Sequence, residues 1–335
     1  MLRIAVLGCG RIGRMHADNI AAHPRAALAG VFDVHAPAAQ EVSDTHGCTN
    51  FASAEDVFAS DAVDAVLIAT STATHVDFIE AGVAAGKAIL CEKPIDLSLD
   101  RVRDCAARIA GTDVPIMIGF CRRFDPGHRA ARAAARAGEI GDLHQVVITS
   151  RDPGMAPAAY IEVSGGIFRD MTIHDLDLAR YMLGEEVTAV SAHGSRLVDP
   201  ALMDRCGDYD TVVVTLVTDS GKQAVITNSR HAAYGYDQRV ELFGSKGMLL
   251  SDNHRQHAMT RHTAETTNAA APLQFFFIER YQAAFVAEID NFVDAAGGKA
   301  APDATFDDGV KALVLADACF KSIAEGRTVR VDELA

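Results

Sequence analysis

Three groups of residues have the types and the spacing to do chemistry. Gly8-Cys9-Gly10-Arg11-Ile12-Gly13 fits GxGxxG, Cys91-Glu92-Lys93-Pro94 sets a lysine between an apolar run and a proline, and His174 follows Asp170 by four residues. A glycine loop of the first kind cradles a pyrophosphate. Gly8 permits the tight turn, Gly10 lets backbone approach the phosphates, and Gly13 lets the next helix lie close to the strand. Arg11 and Ile12 open that helix, where free N–H groups and the dipole favour an anion. Asp33 lies about twenty residues beyond the loop, where a carboxylate accepts from the adenosine ribose 2′-OH and repels a 2′-phosphate. Val34 brings no positive charge, so the expected cofactor is NAD rather than NADP.

A lysine, an imidazole and a carboxylate suit the oxidation of a secondary alcohol, in which a hydride leaves carbon for nicotinamide and a proton leaves oxygen. Histidine takes such a proton near neutrality. If the segment is helical, Asp170 and His174 share a face, and the carboxylate orients the imidazole. Lys93 donates to the same oxygen and stabilises developing alkoxide charge. A cis Lys93–Pro94 bond would aim it into a cleft. His75, after Thr70-Ser71-Thr72-Ala73-Thr74, is expected at a helix start near the nicotinamide ribose, together with Thr70, Thr72 and Glu92.

These residues need elements to hold them. Leu2 to Leu7, Ala27 to Phe32, Val63 to Ala69, Ala88 to Cys91 and Ile116 to Phe120 read as strands, and 12–22, 36–46, 75–85 and 98–109 as helices. Strands apolar on both faces that alternate with helices imply βαβ units and a parallel sheet. The pattern changes near residue 121. After a helix at 125–138, strands at 144–150, 187–194, 211–218, 224–230 and 239–244 alternate polar and apolar, as in an antiparallel sheet with one wet face. The reading is α/β: a Rossmann domain over 1–120, then an α+β domain over 121–335 built on a large open, mainly antiparallel sheet. Residues 251–272 lack periodicity and read as a mobile loop, followed by helices at 278–296 and 306–325.

Composition removes several other classes. The 335 residues are 49% hydrophobic and 23% charged, which excludes disorder, and exceed what one core usually holds. A net charge of −14 makes nucleic acid and anionic lipid poor partners. His128 to Arg136 is locally basic but reads as a solvated helix face. No apolar run reaches the ~20 residues a membrane span needs, and the N-terminus reads as a strand rather than a signal peptide. Seven cysteines, an odd count without CxxC, suit reduced thiols in a cytoplasm. His254, His257 and His262 lack metal-ligand spacing, so no metal is expected.

Cys91-Glu92-Lys93-Pro94, after the strand that follows Gly86, resembles the (C)EKP signature of the Gfo/Idh/MocA oxidoreductases. Gly165-Gly166-Ile167-Phe168-Arg169-Asp170-Met171-Thr172-Ile173-His174-Asp175 resembles that family's segment with a D-x-x-x-H pair. Ser150-Arg151-Asp152-Pro153, Tyr160, residues 119–125 and residues 234–239 are similar to its inositol dehydrogenase branch, with Cys121 a departure. The resemblance spans essentially the whole chain. It implies NAD-dependent oxidation of a ring hydroxyl of a cyclic polyol, with myo-inositol first and another inositol isomer or a sugar behind it. It implies catalytic Lys93, Asp170 and His174, with Lys93 also at the nicotinamide ribose, and Arg123, Asp152 and Tyr234 binding ring hydroxyls. A homo-oligomer, a tetramer, is implied too. Some relatives are non-catalytic sensors that bind NAD and a sugar; Lys93 and His174 argue against that reading.

Overall fold

The structure, a computed structural model, describes residues 1–334. Its contacts group the chain into two units, one of 1–124 with 284–311, the other of 125–283 with the residues from 312 on.

The first unit is built on six parallel strands: β1 (Leu2–Leu7), β2 (Ala26–Phe32), β3 (Thr49–Asn50), β4 (Ala65–Ile68), β5 (Ala88–Glu92) and β6 (Ile116–Gly119). They lie in the order β3-β2-β1-β4-β5-β6. All four residues of β4 are fully buried, as their unbroken apolar run requires when helices cover both faces. Strand order reverses between β1 and β4, and a crevice outside the carboxyl ends of strands forms at such a switch point. The change of pattern near 121 assigns everything after it to one domain, whereas 284–311 groups with this sheet. Ile118 N–H donates to Ala304 C=O at 2.9 Å, and Asp290, on the helix Gln282–Ala296, holds His23 at 2.8 Å and Arg25 at 3.0 Å.

The second unit carries β7 (Leu143–Arg151), β8 (Val187–Ser195), β9 (Thr211–Thr218), β10 (Gln223–Ser229), β11 (Asp237–Gly244) and β12 (Gly247–Ser251). A hairpin of β13 (Thr260–Arg261) and β14 (Ala269–Ala270) follows, then β15 (Val329–Arg330). The large sheet runs β12-β11-β7-β10-β9-β8-β15, antiparallel except for the β7/β10 pair, so it is mixed. Alternation divides its faces. Val212, Val214 and Leu216 of β9 enter the core with Leu176, Leu178 and Leu315, while Val213 is exposed. Residues 251–272, read as a structureless loop, include the β13/β14 hairpin. The helix expected at 278–296 is broken at Tyr281, whose hydroxyl donates to the buried Gln238. Among the described residues no helix is long and apolar enough to cross a membrane.

Candidate active site

In the first unit the glycine loop joins β1 to the helix Arg11–Ala22. Gly8 has φ +95°, and a Cβ there would lie 2.5 Å from the Ala69 carbonyl oxygen. A Cβ on Gly13 would come within 1.8 Å of the Gly8 carbonyl oxygen. Those two glycines are required by packing. Gly10 differs: a Cβ would meet nothing within 4 Å, so open space lies beside that backbone. No side chain caps the Arg11–Ala22 helix, and its first turn holds no acidic residue, which leaves its N–H groups to an external anion. Asp33 closes β2 and ties the loop down. Its Oδ2 accepts from Cys9 N–H at 2.6 Å and its Oδ1 from His35 N–H at 2.7 Å. A carboxylate has about four lone-pair sites, so capacity remains for a ribose diol. This donor set fits a dinucleotide without a 2′-phosphate.

The loops after β4 and β5 are bound to each other. His75, 1% exposed, sets Nδ1 2.8 Å from the Pro94 carbonyl oxygen and Nε2 3.1 Å from that of Thr70. Burial pushes its imidazole pKa down against these bonds. A carbonyl oxygen from a different loop lies against each ring nitrogen, so the ring bridges the two loops. Thr70 and Thr74 share a hydroxyl hydrogen bond of 2.7 Å, and Thr72 begins the short turn between them. Arg101 donates to Ala73 C=O at 2.8 Å and to Asp96 at 2.8 Å, a second tie between the same loops. Lys93 follows β5, half-buried, with a cis bond to Pro94. Glu92 Oε1 lies 2.9 Å from His16 Nε2. Arg123 is buried, and its guanidinium donates to Asp303 C=O at 2.6 Å and pairs with Asp308 at 2.9 Å.

In the second unit, register places several polar residues at one end of the sheet. Ser229 pairs with Arg151 and with Thr211, and Asp237 pairs with Arg151. Asp152, Arg230, Asp208 and Tyr234 thus lie where strands start or stop along that end. Asp170 sits in a π-helical turn, Phe168–Thr172, that runs into the helix Ile173–Leu183 bearing His174. Such turns recur at functional sites, and this one replaces the plain α-helical spacing expected for the pair. Asp170 accepts from Tyr160 Oη at 2.7 Å and from Arg230 Nη1 at 2.9 Å. Arg230, 2% exposed, also reaches Asp208 at 3.5 Å. Burial and Asp170 together push the Tyr160 phenol up. Asp152 N–H donates to Ser229 C=O at 2.9 Å, and its charge acts on Tyr160 and Arg230. His174 is half-buried, with Nδ1 enclosed. Tyr234 is turned to other partners: its hydroxyl receives Arg151 Nη1 at 2.7 Å and donates to Asp237.

Sequence reading did not find the buried Arg230–Asp208 support of Asp170. An arginine directly after an apolar strand was its only sign. Asp175 is fully buried and receives Asn228 Nδ2 at 2.8 Å. A further cluster went unnoticed: His16, Glu92 and Glu288 bring ligand-type atoms within 4.8 Å of one another. Its signal was an acid on the apolar stripe of Phe285, Ile289 and Phe292.

The sequence matches the oxidoreductase-family NAD-binding Rossmann fold over residues 2–120 and the GFO/IDH/MocA C-terminal domain over 128–250. It is 46% identical to an inositol 2-dehydrogenase of Rhizobium meliloti strain 1021 over 98% of this chain and 99% of that protein. A myo-inositol dehydrogenase structure from Corynebacterium glutamicum superposes with TM-score 0.95 at 47% identity, covering 98% of each chain. A Lactobacillus casei scyllo-inositol dehydrogenase, solved with NAD(H) and scyllo-inositol, gives TM-score 0.90 at 29% identity over 99% of each chain.

Proposed function

The chain belongs to the GFO/IDH/MocA oxidoreductases, and from that membership we propose that it oxidises a ring hydroxyl of a cyclic polyol with NAD, converting myo-inositol to 2-keto-myo-inositol. The carrying observation is likeness to inositol dehydrogenases from end to end, so that the Lys93 motif and the Asp170–His174 segment are both within it.

NAD, when bound, would supply the hydride acceptor for the ring carbon. Asp33 would take the adenosine ribose hydroxyls, and the backbone of Gly8, Gly10, Arg11, Ile12 and Gly13 would hold the pyrophosphate. Thr70, Thr72, His75 and Glu92 serve the nicotinamide side, His75 by clamping two loops. Lys93 donates to the reacting oxygen and stabilises alkoxide as it forms. His174 receives the hydroxyl proton, so the alcohol loses a hydride and a proton and becomes a ketone. Asp170, held by Tyr160 and Arg230, keeps His174 in orientation. Asp152 receives a ring hydroxyl, whereas Tyr234 holds Arg151 and Asp237 beside it rather than binding substrate directly. Arg123, engaged by Asp308 and Asp303, holds the turn at 121–124 rather than binding substrate directly.

The open sheet face exposes Val213, Phe243, Met248 and Leu250, which supports assembly of copies, as a tetramer, through that face. Seven free cysteines support work in the cytoplasm.

Purified protein mixed with NAD or NADP and a panel of inositols and aldoses tests the activity by absorbance of reduced nicotinamide. Turnover of myo-inositol with NAD is expected. Cofactor binding without turnover of any polyol would mark a sensor instead. Lys93→Ala is expected to lower kcat about 100-fold or more and to leave NAD affinity nearly unchanged. Undiminished turnover would remove Lys93 from the chemistry. Light scattering reads the assembly state.

A further inference from the structure

Glu288 lies on the buried face of the helix Gln282–Ala296, among Phe285, Ile289 and Phe292. It is fully buried, and neither carboxyl oxygen has a hydrogen-bond partner. Two groups face it. Glu92 comes from the end of β5, and His16 comes from the helix Arg11–Ala22. One polar atom of each lies within 4.8 Å of the others. His16 already holds Glu92 through Nε2, and its ring stands edge-on to Phe285 with centroids 5.6 Å apart. Burial together with the charges of Glu288 and Glu92 keeps the Cys121 thiol well above its usual range, with Arg122 and Lys93 acting on it in the opposite direction.

An ionised carboxylate placed here has no hydrogen-bond donor on either oxygen and a second carboxylate beside it. Burial, with the charge of Glu92 added, holds the Glu288 carboxyl well above the carboxylate range. A proton on Glu288 removes the repulsion and creates a donor within 4.8 Å of an acceptor. We propose that Glu288 is a positioning residue, kept as the neutral acid, whose proton is shared with Glu92 through one water. His16 takes the other side of the Glu92 carboxylate. Glu92 is then fixed from two elements, and with it the backbone that presents Lys93. The catalytic side of this inference rests on the reading of Lys93 given above; the protonation of Glu288 does not.

Two substitutions and an infrared measurement decide it. Glu288→Gln keeps a neutral donor of the same shape, and Glu288→Leu keeps volume without a donor. The difference infrared spectrum of wild type against Glu288→Gln at neutral pH is expected to show the C=O stretch of a protonated carboxyl. Carboxylate bands in its place overturn the proposal. So does one equivalent of bound metal in wild type that Glu288→Gln loses, which would make the cluster a metal site. If Glu288→Gln does not fold, the absence of any protonated-carboxyl band in wild type at neutral pH is equally fatal. In kinetics, Glu288→Gln is expected to hold kcat within about threefold, and Glu288→Leu to lose about tenfold in kcat with a smaller change in KM for NAD. Equal losses in both variants refute the donor role. The infrared result stands whether or not a polyol is turned over, so failure of the activity reading remains separable.

Discussion

Arg230→Met examines the support beneath Asp170. The methionine fills much of the arginine's apolar volume and removes only the charge and its donors. It leaves the Asp208 carboxylate, 4% exposed, and the Asp170 carboxylate, 11% exposed, without the guanidinium between them. Breaking a buried ion pair by removing one partner costs about 3–5 kcal/mol, because the surviving charge stays out of water. In a unit of this size each kcal/mol moves Tm by roughly 2–4 °C, which gives a fall of about 10 °C. The chain has no tryptophan, so calorimetry or far-UV circular dichroism follows the transition. Adding Asp208→Asn neutralises one stranded carboxylate while its amide oxygen keeps the 2.9 Å bond from Ile167 N–H. The double variant is expected to regain about 1–2 kcal/mol over the single one, a coupling usual for direct partners. Turnover should fall in Arg230→Met while NAD affinity holds. A single variant that melts with wild type, or strictly additive losses in the pair, would refute the reasoning.

Asp33→Ala removes two charge-assisted acceptors and the ribose contact; kcat/KM for NAD is expected to fall about 10–100-fold and the NADP/NAD ratio to rise, read from initial rates with each cofactor. Gly13→Ala drives a methyl into the Gly8 carbonyl oxygen, so titration calorimetry should show NAD binding lost; retained affinity would contradict the required close approach. Asp125 shows the sign of a pH effect. Burial alone would raise its carboxyl pKa, but His128 and Arg280 outweigh that and hold it below its ordinary value near 3.8. A depressed folded pKa adds stability above that value and loses it as pH falls through the folded pKa. Asp125→Asn keeps the helix cap over His128 N–H, so its stability deficit should be full at pH 7 and shrink below about pH 4. Denaturant midpoints against pH check this, and a deficit that grows in acid would contradict it.

The parallel half of the fold was legible because its signals are local. Unbroken apolar runs, glycines that end them and helical periodicity set the strands to within a residue or two. What escaped was short or long-range. β3 is two polar residues, and nothing in the segments 143–151 and 223–229 announces that they run parallel. The break at Tyr281 answers to a side chain of another strand, Gln238. Site residues divide the same way. The glycine loop and Asp33 could be named from spacing, while Arg123 and Tyr234 could be named but not their partners, Asp308 and Asp237.

The sequence by itself determined the nucleotide loop, since a positive φ at Gly8 and a forbidden Cβ at Gly13 are demands on single residues. It also named the side chains proposed for acid–base chemistry, Lys93, Asp170 and His174. Tertiary structure alone decided what each polar group leans on: Asp170 on Tyr160 and Arg230, Glu92 on His16, and Glu288 buried beside them. The physical reason is that a hydrogen bond or a desolvated charge depends on distances of a few ångströms between residues far apart in the chain. Those distances exist only once sheet register and helix packing have fixed the backbone.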